Sequence, residues 1–73
     1  MPQEKIESPL PGKILNVKIN VGDKVAEGDE LCSIEAMKME NPIIAPVSGI
    51  VKEIGVTKGQ AVKAGDIMLV IEY

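Results

Sequence analysis

Apolar and polar residues alternate in two stretches of the chain. Residues 16–20 read Asn-Val-Lys-Ile-Asn, and residues 53–57 read Glu-Ile-Gly-Val-Thr. Successive side chains of a β-strand point to opposite faces, so this alternation is typical of half-buried strands. Short apolar runs follow at 31–34 and 67–71, each soon after a Gly-Asp step. These runs predict more fully buried strands.

The two stretches belong to an internal repeat. Residues 1–36 align with residues 38–73 at an offset of 37 without a gap, and nine of the 36 aligned pairs are identical. The identical pairs are Ile6/Ile43, Pro9/Pro46, Gly12/Gly49, Gly22/Gly59, Val25/Val62, Gly28/Gly65, Asp29/Asp66, Ile34/Ile71 and Glu35/Glu72. Glycines are expected where tight turns need a positive φ, so the repeat preserves turn positions.

Each half is expected to form four short strands, and one half alone could not bury its apolar face. The predicted strands lie near 3–7, 13–20, 24–26, 30–35, 40–44, 50–57, 61–63 and 67–72. Two similar halves packed face to face would give an all-β, flattened antiparallel barrel or sandwich of two four-stranded sheets with pseudo-twofold symmetry. The prediction is therefore one domain, 1–73, made of two quasi-repeats, 1–36 and 38–73.

The composition limits what such a domain can do. The chain has 73 residues and is 45% hydrophobic, yet its one aromatic residue is Tyr73. We expect an aliphatic core that is too small to enclose a deep substrate pocket. The lone cysteine, Cys32, lies in an apolar run and is expected to be a small buried hydrophobic residue.

Several function classes lack the residues they require. The net charge is −3, there is no histidine and the basic residues are all lysine, so nucleic-acid binding, a zinc site and a nucleophile–histidine pair have no support. We expect a non-catalytic protein. No apolar run is long enough to insert directly into a membrane, and the first residues do not resemble a signal peptide, which favours a cytoplasmic location.

The segment Glu-Ala-Met-Lys-Met-Glu, residues 35–40, joins the two halves. In the repeat, Lys38 is the counterpart of Met1, so the lysine is expected on an exposed hairpin at the edge opposite the termini. A solvated surface lysine is the simplest interpretation. However, Met37-Lys38 is not the Asn-Gly or Asp-Gly that makes a two-residue turn easy.

The residues that flank Lys38 leave alternatives open. Met37 and Met39 fit a core role and an adaptable partner-binding role about equally well, because methionine is unbranched and polarizable. Glu35 has a symmetry mate in Glu72, which favours a general role at a strand end. Glu40 is aligned with Gln3 and is the better candidate for recognition by a partner.

At Ala36-Met37-Lys38-Met39 the sequence resembles the biotinyl domain of biotin carboxyl carrier proteins and biotin-dependent carboxylases. The resemblance covers essentially the whole chain. It includes the flanking Glu35 and Glu40, the Gly-Asp turns, and a Pro-x-x-Gly-x-Ile start of each half, at residues 9–14 and, with Val in the last place, 46–51.

The resemblance implies that Lys38 is the acceptor for covalent biotin, attached by a biotin protein ligase, and that residues 35–37, 39 and 40 form the recognition motif. The domain would then carry CO₂ from a biotin carboxylase to a carboxyltransferase or decarboxylase. The gapless repeat has no room for the protruding thumb of some family members, so the chain resembles the thumbless type.

Two alternatives remain at this point. Lipoyl domains share the fold, but their lysine is usually preceded by Asp and followed by Ala, where this chain has methionine at both positions. The other alternative is an unmodified structural domain, such as the lipoyl-like domains of efflux adaptors. Those domains lie in longer chains with helical hairpins.

Overall fold

The computed structural model describes residues 2–73, which form eight β-strands and no helix. The strands are β1 (Gln3–Glu7), β2 (Gly12–Val17), β3 (Lys24–Val25), β4 (Glu30–Ala36), β5 (Met39–Ile44), β6 (Gly49–Ile54), β7 (Ala61–Val62) and β8 (Ile67–Glu72). The number and order of the predicted strands are confirmed.

Strands β2 and β6 end three residues earlier than predicted. The alternation continues through Ile19 and Val56, and both side chains pack on the core. However, the backbone leaves the sheet after the Lys18 N–H donates to the Leu31 carbonyl at 2.9 Å, and a turn begins at Asn20. In these extra residues, the alternation of apolar and polar positions reflects the burial of every second side chain, although the backbone is not paired in a sheet.

The strands form two antiparallel sheets with the orders β1-β8-β6-β3 and β5-β4-β2-β7. Each sheet keeps two edge strands, so the molecule is a sandwich and not a closed barrel. The all-β, two-sheet fold class is confirmed. Replacing each strand by its counterpart in the other half, for example β1 by β5, converts one sheet order into the other. The topology therefore has pseudo-twofold symmetry.

The prediction that one half packs face to face against the other is wrong, because each sheet contains two strands from each half. Strands β2 and β4 of the first half lie between β5 and β7 of the second, and β6 and β8 lie between β1 and β3. The physical reason is that each half contributes the edge strands of the other half's sheet. This exchange pairs the backbone groups of all strands and brings the apolar faces of the two halves into one core.

Four turns connect the two halves through backbone hydrogen bonds. In the first, Gly22 adopts the positive φ of 93° that the third position of a type II turn requires, and its N–H donates to Val51 of the other half. The Val51 N–H in turn donates to the Asp23 carbonyl. The turns ending at Asp29, Gln60 and Asp66 hold Ala45, Ile14 and Ser8 in the same reciprocal way, with all eight hydrogen bonds at 2.7–2.9 Å.

The core is aliphatic and centres on β4 and β8, as the apolar runs predict. Leu31, Ile34, Met68 and Ile71 are fully buried. Cys32 is also fully buried and carries a free thiol, which confirms its predicted place in the core. The turn that connects β4 to β5 therefore follows directly from a strand at the centre of the core.

Candidate functional site

Lys38 lies at the tip of the hairpin that connects β4 to β5, as predicted. The strand register pairs Ala36 with Met39, so Met37 and Lys38 alone form the turn. Their φ angles are 55° and 62°, the left-handed values that both central residues of a type I′ turn adopt. The lysine side chain is exposed.

The turn is strained by its residue types. Left-handed backbone costs a residue with a Cβ roughly 1–2 kcal/mol, and Met37 and Lys38 both carry this cost. The cost is tolerated because β4 and β5 continue in register below the tip, from Ala36–Met39 to Ser33–Pro42. The Asn41 amide also donates to the Met39 carbonyl at 3.1 Å. Such strain over-determined by its surroundings is typical of functional positions.

Met37 and Met39 are exposed to 91% and 65%, so the core interpretation of these two residues is wrong. The core ends below the hairpin, at Ala36, which is only 6% exposed. The two thioether side chains therefore present apolar surface on both sides of the lysine. Their role toward a partner stays a prediction, while Ala36 offers little surface to any partner.

Glu35 and Glu40 lie directly opposite each other on β4 and β5, and both are exposed. On the other side of Glu35 lies Lys13 of β2. The three charges form a row across the sheet immediately below the tip. Among residues 2–73, one salt bridge is shorter than 4.0 Å, between Lys18 and Glu30 at 3.0 Å. Because the three charged side chains of the row form no such pair, they remain available to solvent and to partners.

Sequence reasoning missed Lys13 and Gly12 as neighbours of the site. Lys13 stands one residue after a glycine that the repeat singled out, but its place beside Glu35 depends on the register of β2 against β4. Gly12 lies against the last residues of β4, just before the turn. Only the repeat signal at Gly12/Gly49 could have indicated that this position tolerates no side chain.

Other kinds of site find little support. Among residues 2–73, no group of three or more metal-ligating side chains comes together. The described part of the chain also has no helix that could cross a membrane. An open groove of about 400 Å³ runs between β1 and β5, and the hairpin tip does not line it.

The comparisons with known proteins agree with this arrangement. The model of the family described as "Biotin-requiring enzyme" matches residues 4–71. A protein named biotin carboxyl carrier protein, from Streptococcus mutans, is 52% identical over 64 residues, which are 88% of this chain and 49% of that protein. A "Biotinylated protein TB7.3 homolog" from Mycobacterium leprae is 38% identical over 68 residues, which are 93% of this chain and 96% of that protein.

Larger proteins contain a similar region. Mitochondrial pyruvate carboxylase of Mus musculus is 41% identical over 68 residues, which are 93% of this chain and 6% of that protein. Among solved structures, the urea carboxylase of Kluyveromyces lactis matches with a TM-score of 0.91 at 38% identity, over 99% of this chain and 6% of that one. A single-chain, multi-domain long-chain acyl-CoA carboxylase matches with a TM-score of 0.88 at 32% identity, over 93% of this chain and 7% of that one.

Proposed function

The chain belongs to the biotin-requiring family whose model spans residues 4–71, and on that premise we propose that it is a biotin carboxyl carrier domain with Lys38 as its attachment residue. One observation supports the attachment residue above the others. Lys38 is an exposed amine on a two-residue, left-handed turn at the end of the β4–β5 hairpin.

The hairpin suits attachment by another enzyme. A biotin protein ligase activates the carboxyl group of biotin, and the neutral amine of Lys38 attacks that carbon. An amide forms, the activating group leaves, and the amine loses a proton. A lysine on a flexible stem at a protruding tip is well placed to enter the active site of the ligase. The product loses one positive charge, so the net charge of −3 becomes −4.

The carrier role follows from the reach of the modified side chain. Biotin on Lys38 would supply a ureido ring able to hold CO₂, which a biotin carboxylase would load and a carboxyltransferase or decarboxylase would unload. The lysine and biotin together extend about 10–15 Å from the backbone. Tethering keeps the ring at a high effective concentration near each active site, while the sandwich supplies a fixed base for the arm.

The domain itself is proposed to be non-catalytic. The sequence lacks histidine, the commonest general base, and its acids are distributed over turns and sheet edges. The chain spans only a small part of the carboxylases that it matches, so the substrate and the partner subunits of this protein are part of the proposal.

The lipoyl alternative is less well supported. Met37 and Met39 flank the lysine where lipoyl domains usually have Asp and Ala, and the relatives reported above carry biotin in their names. A purely structural domain would have no need of a strained turn that displays a lysine between two exposed methionines.

Location is a prediction only. The sequence favours the cytoplasm, whereas the mouse pyruvate carboxylase is named as mitochondrial. Cell fractionation followed by streptavidin detection of the native protein distinguishes the two compartments.

Two ligases test the proposal side by side. Purified chain is incubated with ATP, biotin and a biotin protein ligase, or with ATP, lipoate and a lipoyl ligase, and intact mass is measured. We expect one biotinyl group in the first reaction and none of the lipoyl group in the second. Lipoylation without biotinylation assigns the lipoyl alternative, and an unchanged mass in both reactions favours the structural one.

A further inference from the structure

We propose that Gly12 is a positioning residue for the lysine hairpin. The absence of a side chain at position 12 lets the end of β4 pack directly on β2, and this contact sets the direction in which Lys38 projects. The proposal rests on the proposed function in that it takes biotin attachment to Lys38 as the reaction that is affected.

The space around Gly12 is closed by one backbone oxygen and by two side-chain carbons that lie close to the backbone. A Cβ atom on Gly12 would lie 2.5 Å from the Glu35 carbonyl oxygen, 2.6 Å from Cγ2 of Ile34 and 3.3 Å from Cβ of Ala36. Ordinary van der Waals contacts at such atoms are 3.4–4 Å. An alanine at position 12 therefore has to increase the separation between β2 and the end of β4 by close to 1 Å.

The atoms that would move belong to the last three residues before the turn. Ile34 is fully buried and cannot yield toward the core, which directs the displacement to Glu35 and Ala36. Lys38 follows Ala36 by two residues, and the turn between them contains no glycine that could absorb a change of direction. A shift at Gly12 is thus transmitted to the lysine.

The repeat supplies a matched control. Gly49 begins β6 and lies in the same way against the Glu72 carbonyl and Cγ2 of Ile71, the latter at 2.8 Å. It therefore carries the same packing constraint at the end of β8. Lys38 lies on the hairpin between β4 and β5, which β8 does not enter, so the lysine does not depend on that contact.

The experiment compares Gly12→Ala with Gly49→Ala. Thermal unfolding by circular dichroism measures the shared packing defect, and initial rates of biotinylation by a purified ligase are measured below both melting temperatures. We expect similar losses of stability, but a fall in kcat/KM of about 10-fold or more for Gly12→Ala, because a 1 Å misplacement of a reacting group is costly. Gly49→Ala is expected to stay within about twofold of the unsubstituted chain.

Two readouts follow the hairpin without any ligase. Amide chemical shifts of residues 37–39 and the rate of trypsin cleavage after Lys38 are expected to change in Gly12→Ala and not in Gly49→Ala. Equal effects of the two substitutions on the hairpin, or no effect of Gly12→Ala, overturn the proposal. Failure of the unsubstituted chain to accept biotin contradicts the proposed function instead, and these two readouts still test Gly12.

A second variant covers the case in which Gly12→Ala does not fold. Ala36→Gly removes the methyl group that rests on Gly12 and adds no volume. We expect a folded protein in which trypsin cuts faster after Lys38 and kcat/KM for biotinylation is lower. Cleavage and biotinylation at the unsubstituted rates in this variant overturn the proposal.

Discussion

Glu35 and Glu40 face each other across β4 and β5, two like charges in a directly opposed pair at the base of the lysine turn. Like charges at such positions destabilise a sheet. At the equivalent place in the other half this repulsion is absent, because the uncharged Gln3 faces Glu72. The hairpin thus combines two unfavourable features, the charge pair and the left-handed turn residues. We interpret both as stability lost for recognition.

Replacing Glu40 with Gln should stabilise the domain, because it removes this repulsion. The expected gain is about 0.2–0.5 kcal/mol in the free energy of unfolding, and it should shrink at high salt. Urea unfolding at low and high ionic strength measures it. The reciprocal change, Gln3→Glu, creates the same like-charge pair with Glu72 and should destabilise by a similar amount. A loss of stability in Glu40→Gln would contradict the prediction.

Met37→Asn should also stabilise the fold, since asparagine tolerates the φ of 55° that position 37 adopts. We expect a gain of about 0.5–1 kcal/mol in urea unfolding. Met39→Asn is the control, because position 39 is likewise exposed but has no positive φ, so no gain is expected there. Equal gains at both positions would show that lost apolar exposure, and not backbone strain, is responsible.

Met37→Leu and Met39→Leu separate partner recognition from packing. Both side chains are exposed, so stability should remain within about 1 kcal/mol of the unsubstituted chain. Biotin loading, or carboxylation kinetics of the loaded domain, should change. Thermal unfolding and ligase kinetics together decide the matter, and a large loss of stability with normal loading would contradict a partner role.

Cys32 predicts a pH dependence. Burial, with a further contribution from negative Glu30, raises the pKa of the Cys32 thiol to about 11 from an ordinary 9.0. Between these values the unfolded chain has lost the thiol proton while the folded chain retains it, so stability falls as pH rises from about 9 to 11. The loss attributable to this group is on the order of 3 kcal/mol.

The control for this dependence is Cys32→Ala, which removes the thiol and leaves the other side chains in place. Chemical unfolding of both proteins at intervals from pH 8 to 11 isolates the thiol. The prediction is wrong if the two stability curves stay parallel over this range.

Much of the fold could be predicted from the sequence because each turn and strand pattern occurs twice, once in each half of the repeat. Gly22/Gly59 and Gly28/Gly65 are required by the positive φ of their turns, and such requirements are local. The exchange of edge strands between the halves could not be predicted. It depends on contacts such as the pairing of Gly22 with Val51, which are distant in sequence and leave no periodic signal.

The site was predicted unevenly for a similar reason. The repeat placed Lys38 at the junction of the halves, and the structure has it on the turn of the β4–β5 hairpin. Exposure of Met37 and Met39 depends on where the core ends, which residue type alone does not decide. The close contact of Gly12 with Glu35 and Ala36 depends on strand register, so only the structure reveals it.

We propose that Lys38 alone accepts biotin. The most direct test of this proposal is tandem mass spectrometry of the unsubstituted chain and of Lys38→Arg, each co-expressed with a biotin protein ligase. We expect one biotinyl group per unsubstituted chain, located on Lys38 among the eight lysines, and none in Lys38→Arg. Biotin on another lysine, or on Lys38→Arg, would contradict it, as would an unmodified chain beside a reference substrate that the same ligase has fully labelled.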